Sequence, residues 1–107
     1  DPGAHSRNAC VFAEGELDRS PTGTGVCGRA AILRARGELE LGRWITIESL
    51  IGTRFDVRAV ADATVGPPGP HAVPAIVPEV RGSAWATGRH EFGVDPDDPL
   101  AGGFLLR

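Results

Sequence analysis

A length of 107 residues leaves room for one small domain with a modest core, and not for two. Apolar residues make up 41% and charged residues 23%, as in an ordinary water-soluble globular chain, and no apolar run approaches the roughly 18 residues a membrane span needs. Fourteen acids against eleven bases give a net charge of -3, spread along the chain, so there is no electrostatic case for nucleic acid or an anionic membrane; all the bases are arginine, which excludes a phosphate loop ending in Gly-Lys-Ser/Thr.

Asp1 to Ser6 reads as an irregular lead-in, and Asn8 to Ala13 predicts a short strand centred on Cys10, Val11 and Phe12. The opening Asp1-Pro2-Gly3 and the lack of any methionine create the expectation of a piece of a longer polypeptide. With no secretory features, Cys10 and Cys27 read as buried thiols in preference to a disulfide, and a cytoplasmic location is expected. Glu14-Gly15-Glu16 turns the chain, and Leu17 leads into Asp18-Arg19-Ser20-Pro21-Thr22-Gly23-Thr24-Gly25. There Pro21 holds its own φ near the helical value and pushes Ser20 toward an extended backbone, while Gly23 and Gly25 let a ligand approach the main chain.

Val26 to Arg36 carries good helix formers and stops at Gly37. Its apolar positions spread over three sides: Val26, Ala30 and Leu33; Cys27, Ala31 and Ala35; and Ile32. That spread predicts a helix buried on most of its circumference. Trp44 to Ile47 is rich in β-formers, and Arg54 to Ala63 alternates, with Phe55, Val57, Ala59 and Ala61 on one face. Gly66 to Pro70 must turn. Ala72 to Val80 follows as a strand placed near an edge by Pro74 and Pro78, then a strand over Ser83 to Val94, a turn at Asp95 to Pro99, and a last short strand at Gly103 to Leu106. The expected fold is α+β, a curved, barrel-like and mostly antiparallel sheet of roughly five or six strands around one central helix.

The Asp18 to Gly25 loop therefore meets a helix N-terminus, where the first N–H groups lack intrahelical partners and the macrodipole is positive. A small anion, carboxylate or phosphate, is the natural guest. Bland readings exist for the same residues. Thr22 fits an N-cap hydroxyl and Asp18 an Asx turn. Arg19 reads as structural, paired with an acid, and Cys27 as packing inside the helix. His5, His71 and His90 are scattered without metal-ligand spacing, so no metal site is expected, and Trp44 and Trp85 read as core or interface aromatics.

The eight residues from Asp18 to Gly25 resemble the second active-site motif of the proline racemase family, Asp-Arg-Ser-Pro-Cys/Thr-Gly-Thr/Ser-Gly. Similar family segments continue at Glu48 to Phe55, Val80 to Gly88, Asp97 to Leu100 and Gly103 to Leu106. The resemblance implies a two-lobe, diaminopimelate-epimerase-like fold with the substrate between two helix N-termini. Residues 1–107 would be a single C-terminal lobe. It would be incomplete without an N-terminal lobe carrying a Cys-Gly-His motif, which is not found here: Cys10 precedes Val11, and Cys27 precedes Gly28 and Arg29.

By the same resemblance no cofactor is needed, the ligand is hydroxyproline or proline, Asp18 takes the ring nitrogen, and the catalytic position is Thr22. Gly23 and Thr24 are placed to donate N–H groups to the carboxylate, where negative charge builds as the Cα proton leaves. Threonine in place of cysteine points to a trans-3-hydroxy-L-proline dehydratase, because a hydroxyl does not ionise as a thiol does and so cannot return a proton. A racemase or 4-hydroxyproline epimerase is the alternative, and a non-catalytic lobe that binds a carboxylate or pairs with a partner is a further one. A lone lobe is expected to expose apolar surface and to dimerise or aggregate.

Overall fold

In a computed structural model that describes residues 2–106, the elements run β1 (Ser6–Arg7), β2 (Val11–Phe12), β3 (Glu16–Leu17), α1 (Gly23–Ala35), β4 (Ile45–Glu48), β5 (Arg54–Val65) and β6 (Val73–Arg81). One sheet has the order β1-β4-β5-β6, with β1 parallel to β4 and the other pairs antiparallel; β2 and β3 form a separate small hairpin. The fold is α+β and the main sheet mostly antiparallel, as its composition suggests. The sheet is open and does not close into a barrel.

Helix α1 packs on one face of that sheet. Val26, Ala30 and Leu33, spaced i, i+4, i+7, point at Ile45 and Ile47 of β4 and Val57 and Ala59 of β5, and Leu39 closes the end of this core. Each fully buried Val, Leu or Ile contributes about 1.5–3 kcal/mol. The helix stops where the sequence says it should. Gly37 takes φ +73°, its N–H donates to the Arg34 carbonyl at 3.0 Å, and the Glu38 N–H donates to Leu33 at 2.8 Å. This reciprocal pair satisfies carbonyls that a helix end otherwise leaves open. Arg34 then ties the helix to β5 through Asp62, at 2.8 and 2.7 Å.

Burial of the helix differs from the sequence expectation. Only Val26, Ala30 and Leu33 are buried, while Thr24, Gly25, Gly28, Ile32 and Ala35 are exposed along a broad stripe. Small residues permit close packing on several sides but do not supply the partner. The sheet covers one side alone.

Strand β5 keeps the alternation read from its sequence, with Val57 and Ala59 buried and Val60 and Asp62 exposed. Its register slips between Ala59 and Ala61, so that Val60 is an extra residue opposite Pro78. The slip falls beside Pro78, at the kind of edge pair where bulges and prolines are tolerated. Strand β6 is the edge strand that its prolines require.

Three strands expected from composition shrink or fail. Asn8 to Ala13 contributes only Val11–Phe12, paired with β3. Of the lead-in, Asp1 lies outside the described residues, and Ser6 enters β1. Ser83 to Val94 and Gly103 to Leu106 form no strand, since β-rich composition without a neighbouring strand has no ladder to join. The turn at Asp95 does form, with the Asp98 N–H donating to its carbonyl at 3.1 Å. Residues 82–106 consequently run out as an exposed arm, and the radius of gyration is 19.3 Å where a compact chain of this size has about 13 Å. The arm departs at Gly82, against the Phe55 ring, where a Cβ would lie 2.6 Å from a ring carbon. Among the described residues no helix is long and apolar enough to cross a membrane.

Candidate functional site

The loop from Asp18 to Gly25 is shaped by its own side chains. Asp18 Oδ1 accepts the Ser20 N–H at 2.8 Å, the Ser20 hydroxyl accepts the Thr22 N–H at 3.1 Å, and the Thr22 hydroxyl donates back to Asp18 Oδ2 at 3.1 Å. The Asx turn is therefore real, and it leaves both carboxylate oxygens of Asp18 engaged. The capping role considered for Thr22 is not: no side-chain bond reaches the helix N–H groups, although Thr22 occupies the N-cap position. Its backbone has φ +67° and ψ 122°. A β-branched side chain at positive φ is a strained placement, and such strain gathers at functional sites.

The helical ladder starts with the Val26 N–H donating to the Thr22 carbonyl at 2.9 Å. The N–H groups of Gly23, Thr24 and Gly25 precede that bond and have no carbonyl inside the helix to meet. Gly23 and Thr24 are exposed and Thr22 is half-buried, so these donors open to solvent beside the strained residue. One cleft of about 490 Å³ lies between Thr22, Thr24 and Gly25 and the chain at Asn8 to Val11; another of about 730 Å³ lies on the Asp18 side, against Thr53, Phe55 and Trp85. Thr22 lines the first cleft and Asp18 the second, and the hydrogen bond between them marks where the two adjoin.

Electrostatics favour a charged Asp18. Its pKa is held below the ordinary 3.8, first by the Ser20 N–H, then by the Ser20 hydroxyl, with smaller help from Thr22 and the charge of Arg19, against a modest desolvation that acts the other way. Burial pushes the Cys27 thiol up, which suits a packing residue and not a nucleophile. Cys10 and Cys27 are both free and only half-buried, a correction to the buried pair expected from sequence. Among the described residues no cluster of His, Cys, Asp and Glu could hold a metal ion.

Support for the loop comes from residues the sequence reading did not single out individually. The β4–β5 connection, Ser49 to Thr53, reaches across to it: the Ser49 hydroxyl donates to the Thr53 hydroxyl at 2.7 Å, and the Thr53 hydroxyl donates to the Arg19 carbonyl. Ser49 is fully buried and the Thr53 N–H donates to its oxygen at 3.1 Å, so this hydroxyl pair is fixed from both ends. Gly52 at φ +87°, which only glycine adopts easily, lets the connection turn there. A Ser-x-x-Gly-Thr turn between two strands was the available signal.

The aromatics divide. The guanidinium groups of Arg58 and Arg81 both lie over the Trp44 ring, 4.6 and 4.4 Å from its centroid. Trp85 is 79% exposed and belongs to no core, a correction to the sequence reading that allowed it one. His5, His71 and His90 are exposed, and His90 stacks on Phe92 with centroids 5.9 Å apart.

The sequence profile of the family described as "Proline racemase" matches residues 1–105. A trans-3-hydroxy-L-proline dehydratase of Colwellia psychrerythraea is 46% identical over 103 residues, which are 96% of this chain and 28% of that protein. A 3-hydroxyproline 2-epimerase of Burkholderia multivorans is 47% identical over 107 residues, all of this chain and 30% of that one. Among solved structures, a hydroxyproline epimerase from Agrobacterium vitis with bound trans-4-OH-L-proline superposes with a TM-score of 0.71 at 35% identity, covering 94% of this chain and 27% of that one. The chain spans under a third of the length of the proteins it matches.

Proposed function

Because the chain belongs to the proline racemase family, whose members named above are dehydratases and epimerases of hydroxyproline, we propose that it is the C-terminal lobe of a cofactor-independent trans-3-hydroxy-L-proline dehydratase, completed by an N-terminal lobe that carries the base. In this reading the substrate carboxylate rests on the N–H groups of Gly23 and Thr24, and the ring ammonium pairs with Asp18, which its own hydrogen bonds keep ionised. Negative charge that develops on the carboxylate oxygens as Cα loses its proton is stabilised most by donors already in place.

One observation carries the choice of reaction. The single O–H proton of Thr22 is committed to Asp18 Oδ2, so the threonine offers lone pairs and no acidic proton to a carbanion. A thiolate base in the other lobe takes the Cα proton and becomes a thiol; with nothing on this side to return a proton, the electron pair forms the Cα–Cβ double bond, and the β-hydroxyl, on the same ring face as the departed proton, leaves as water by taking that proton back from the thiol, which returns to thiolate. The resulting enamine tautomerises to the cyclic imine. Elimination needs no second ionisable group at residue 22.

The epimerase reading is kept because the Burkholderia multivorans relative of that name matches over the full chain at an identity equal, within a percent, to that of the dehydratase. The two separate in one assay. Full-length protein is incubated with trans-3-hydroxyproline, 4-hydroxyproline and proline while imine formation, optical rotation and deuterium uptake at Cα are followed. Imine from the 3-hydroxy substrate alone is the expected result. Fast epimerisation of 4-hydroxyproline with no imine would show that the threonine does not decide the outcome. Turnover of none of them, with carboxylate binding retained, would leave the non-catalytic lobe.

A further inference from the structure

Beyond the motif, one side chain of the cleft is oriented by a partner that fixes which of its ends faces the helix start. Asn8 stands one residue past β1, where its N–H donates to the Glu48 carbonyl at 2.8 Å. The preceding Arg7 is anchored as well, its guanidinium donating at 3.0 and 3.3 Å to Glu48 Oε2, a carboxylate that is almost wholly buried. Asn8 and the residue before it are thus both held to Glu48. Its side-chain oxygen accepts the Arg29 Nε–H at 2.9 Å. Arginine has donors and no acceptor, so this bond turns the oxygen away and leaves the NH₂ as the other end. That Nδ2 lies beside Gly25, 3.5 Å from where a Cβ on Gly25 would stand, and Asn8 lines the same cleft as Thr22 and Thr24.

We infer that the Asn8 side-chain amide is a substrate-binding donor of this site, joining the first-turn N–H groups on the ligand carboxylate, and that Arg29 is the positioning residue that aims it. The assignment rests on the reading that an amino-acid carboxylate binds at the start of α1. It extends that reading across the cleft to the residue that follows β1, outside the Asp18 to Gly25 motif. An amide held open to the cleft on a half-buried residue contributes a neutral donor that strengthens as the carboxylate gains charge.

Asn8→Asp separates this role from mere packing. The substitution keeps the shape and gives Arg29 a charged partner, so a purely structural asparagine predicts unchanged or raised thermal stability and unchanged affinity. A ligand-contacting amide predicts the same stability with binding of trans-3-hydroxyproline weakened about ten- to a hundredfold, from a lost donor and an added negative charge. Arg29→Ala frees the amide to rotate, and is expected to raise KM severalfold with kcat largely kept. Calorimetric titration of the full-length wild type and both variants gives the affinities, steady-state kinetics give KM and kcat, and the melting temperature of each is taken alongside. An Asn8→Asp protein that folds and binds like wild type overturns the assignment of Asn8 while leaving the site in place. A wild type that binds neither 3-hydroxyproline, 4-hydroxyproline nor proline removes the carboxylate site itself, and with it both statements. Should Asn8→Asp fail to fold, Asn8→Ser, which shortens the donor, carries the same expectation for affinity.

Discussion

The Thr22 hydroxyl donates to Asp18 Oδ2 at 3.1 Å and makes no bond to the helix it precedes. The orientation of the Asp18 carboxylate, the direction in which the Thr22 hydroxyl donates and the positive φ of residue 22 are therefore linked.

Replacing that hydroxyl by an ionisable group should alter the reaction. In full-length Thr22→Cys, exchange of deuterium into Cα and some epimerisation of 4-hydroxyproline are expected to appear, because a thiol with a pKa of about 8.5 can return a proton where threonine cannot. The rate will be low, since sulfur is larger than oxygen and the Asp18 contact is lost. Deuterium uptake at Cα followed by NMR provides the check, and no uptake above that of the wild type counts against the role given to residue 22.

Stability and activity should separate in Thr22→Gly. Glycine removes a backbone strain of about 1–3 kcal/mol at φ +67°. Against this stand about 0.5–1 kcal/mol of added unfolded-chain entropy and about 1 kcal/mol for the lost bond to Asp18. The melting temperature is expected to hold or rise slightly while turnover falls about tenfold or more, as Asp18 loses one of its anchors. A drop of several degrees, the ordinary result of deleting a capping residue, would mean that Thr22 stabilises the helix after all.

Acid should weaken ligand binding late. The Ser20 N–H, the Ser20 hydroxyl and Thr22 lower the Asp18 pKa below 3.8, so the carboxylate stays charged as pH falls through its ordinary range. The sign is that of any depressed acid: its contribution to folding and to ammonium binding is complete above 3.8 and is lost only as pH falls through the lowered value. The affinity of full-length protein for proline-type ligands is expected to stay flat from neutrality to about pH 4, with Thr22→Val moving the decline to higher pH. Binding, measured by calorimetry, is the proper readout, because turnover also follows the base. A wild-type decline that begins above pH 5 would contradict the assignment.

Much of this arrangement is legible in the chain itself, and the limits have physical causes. The end of α1 at Gly37, the alternation of β5 and the edge placement of β6 follow from local rules that act within a few residues. The Asx turn at Asp18 is likewise local. What escaped is what depends on partners far along the sequence: the Asn8–Arg29 bond spans 21 residues and the Thr53–Arg19 bond 34, and neither leaves a periodic trace. The arm from Ser83 onward shows the same limit from the other side. Its composition suits a strand, and no strand in the described chain lies beside it.

The 107-residue segment made alone should be inactive and should self-associate. The proposed base lies in the other lobe, and an open half-site does not exclude water from a developing carbanion. Trp85, Phe92, Phe104, Leu105 and Leu106 are all exposed on the arm, and Ile32 on the uncovered helix face, which leaves large apolar side chains for another copy to cover. Light scattering behind size-exclusion chromatography is expected to show species above the monomer mass, and a monodisperse monomer would contradict this.

Such association should nevertheless stay of limited order, because of how the main sheet ends. One margin is β6, in which Pro74 and Pro78 have no N–H to offer among its nine residues; the other is β1, only two residues long. A margin that short or that poor in donors is a bad template for a further strand, so growth by strand addition into fibres is blocked at both borders. Contacts between copies are then left to side chains on the arm and helix, and the expected products are small soluble clusters that dissolve on dilution, without the lengthening kinetics of a cross-β filament.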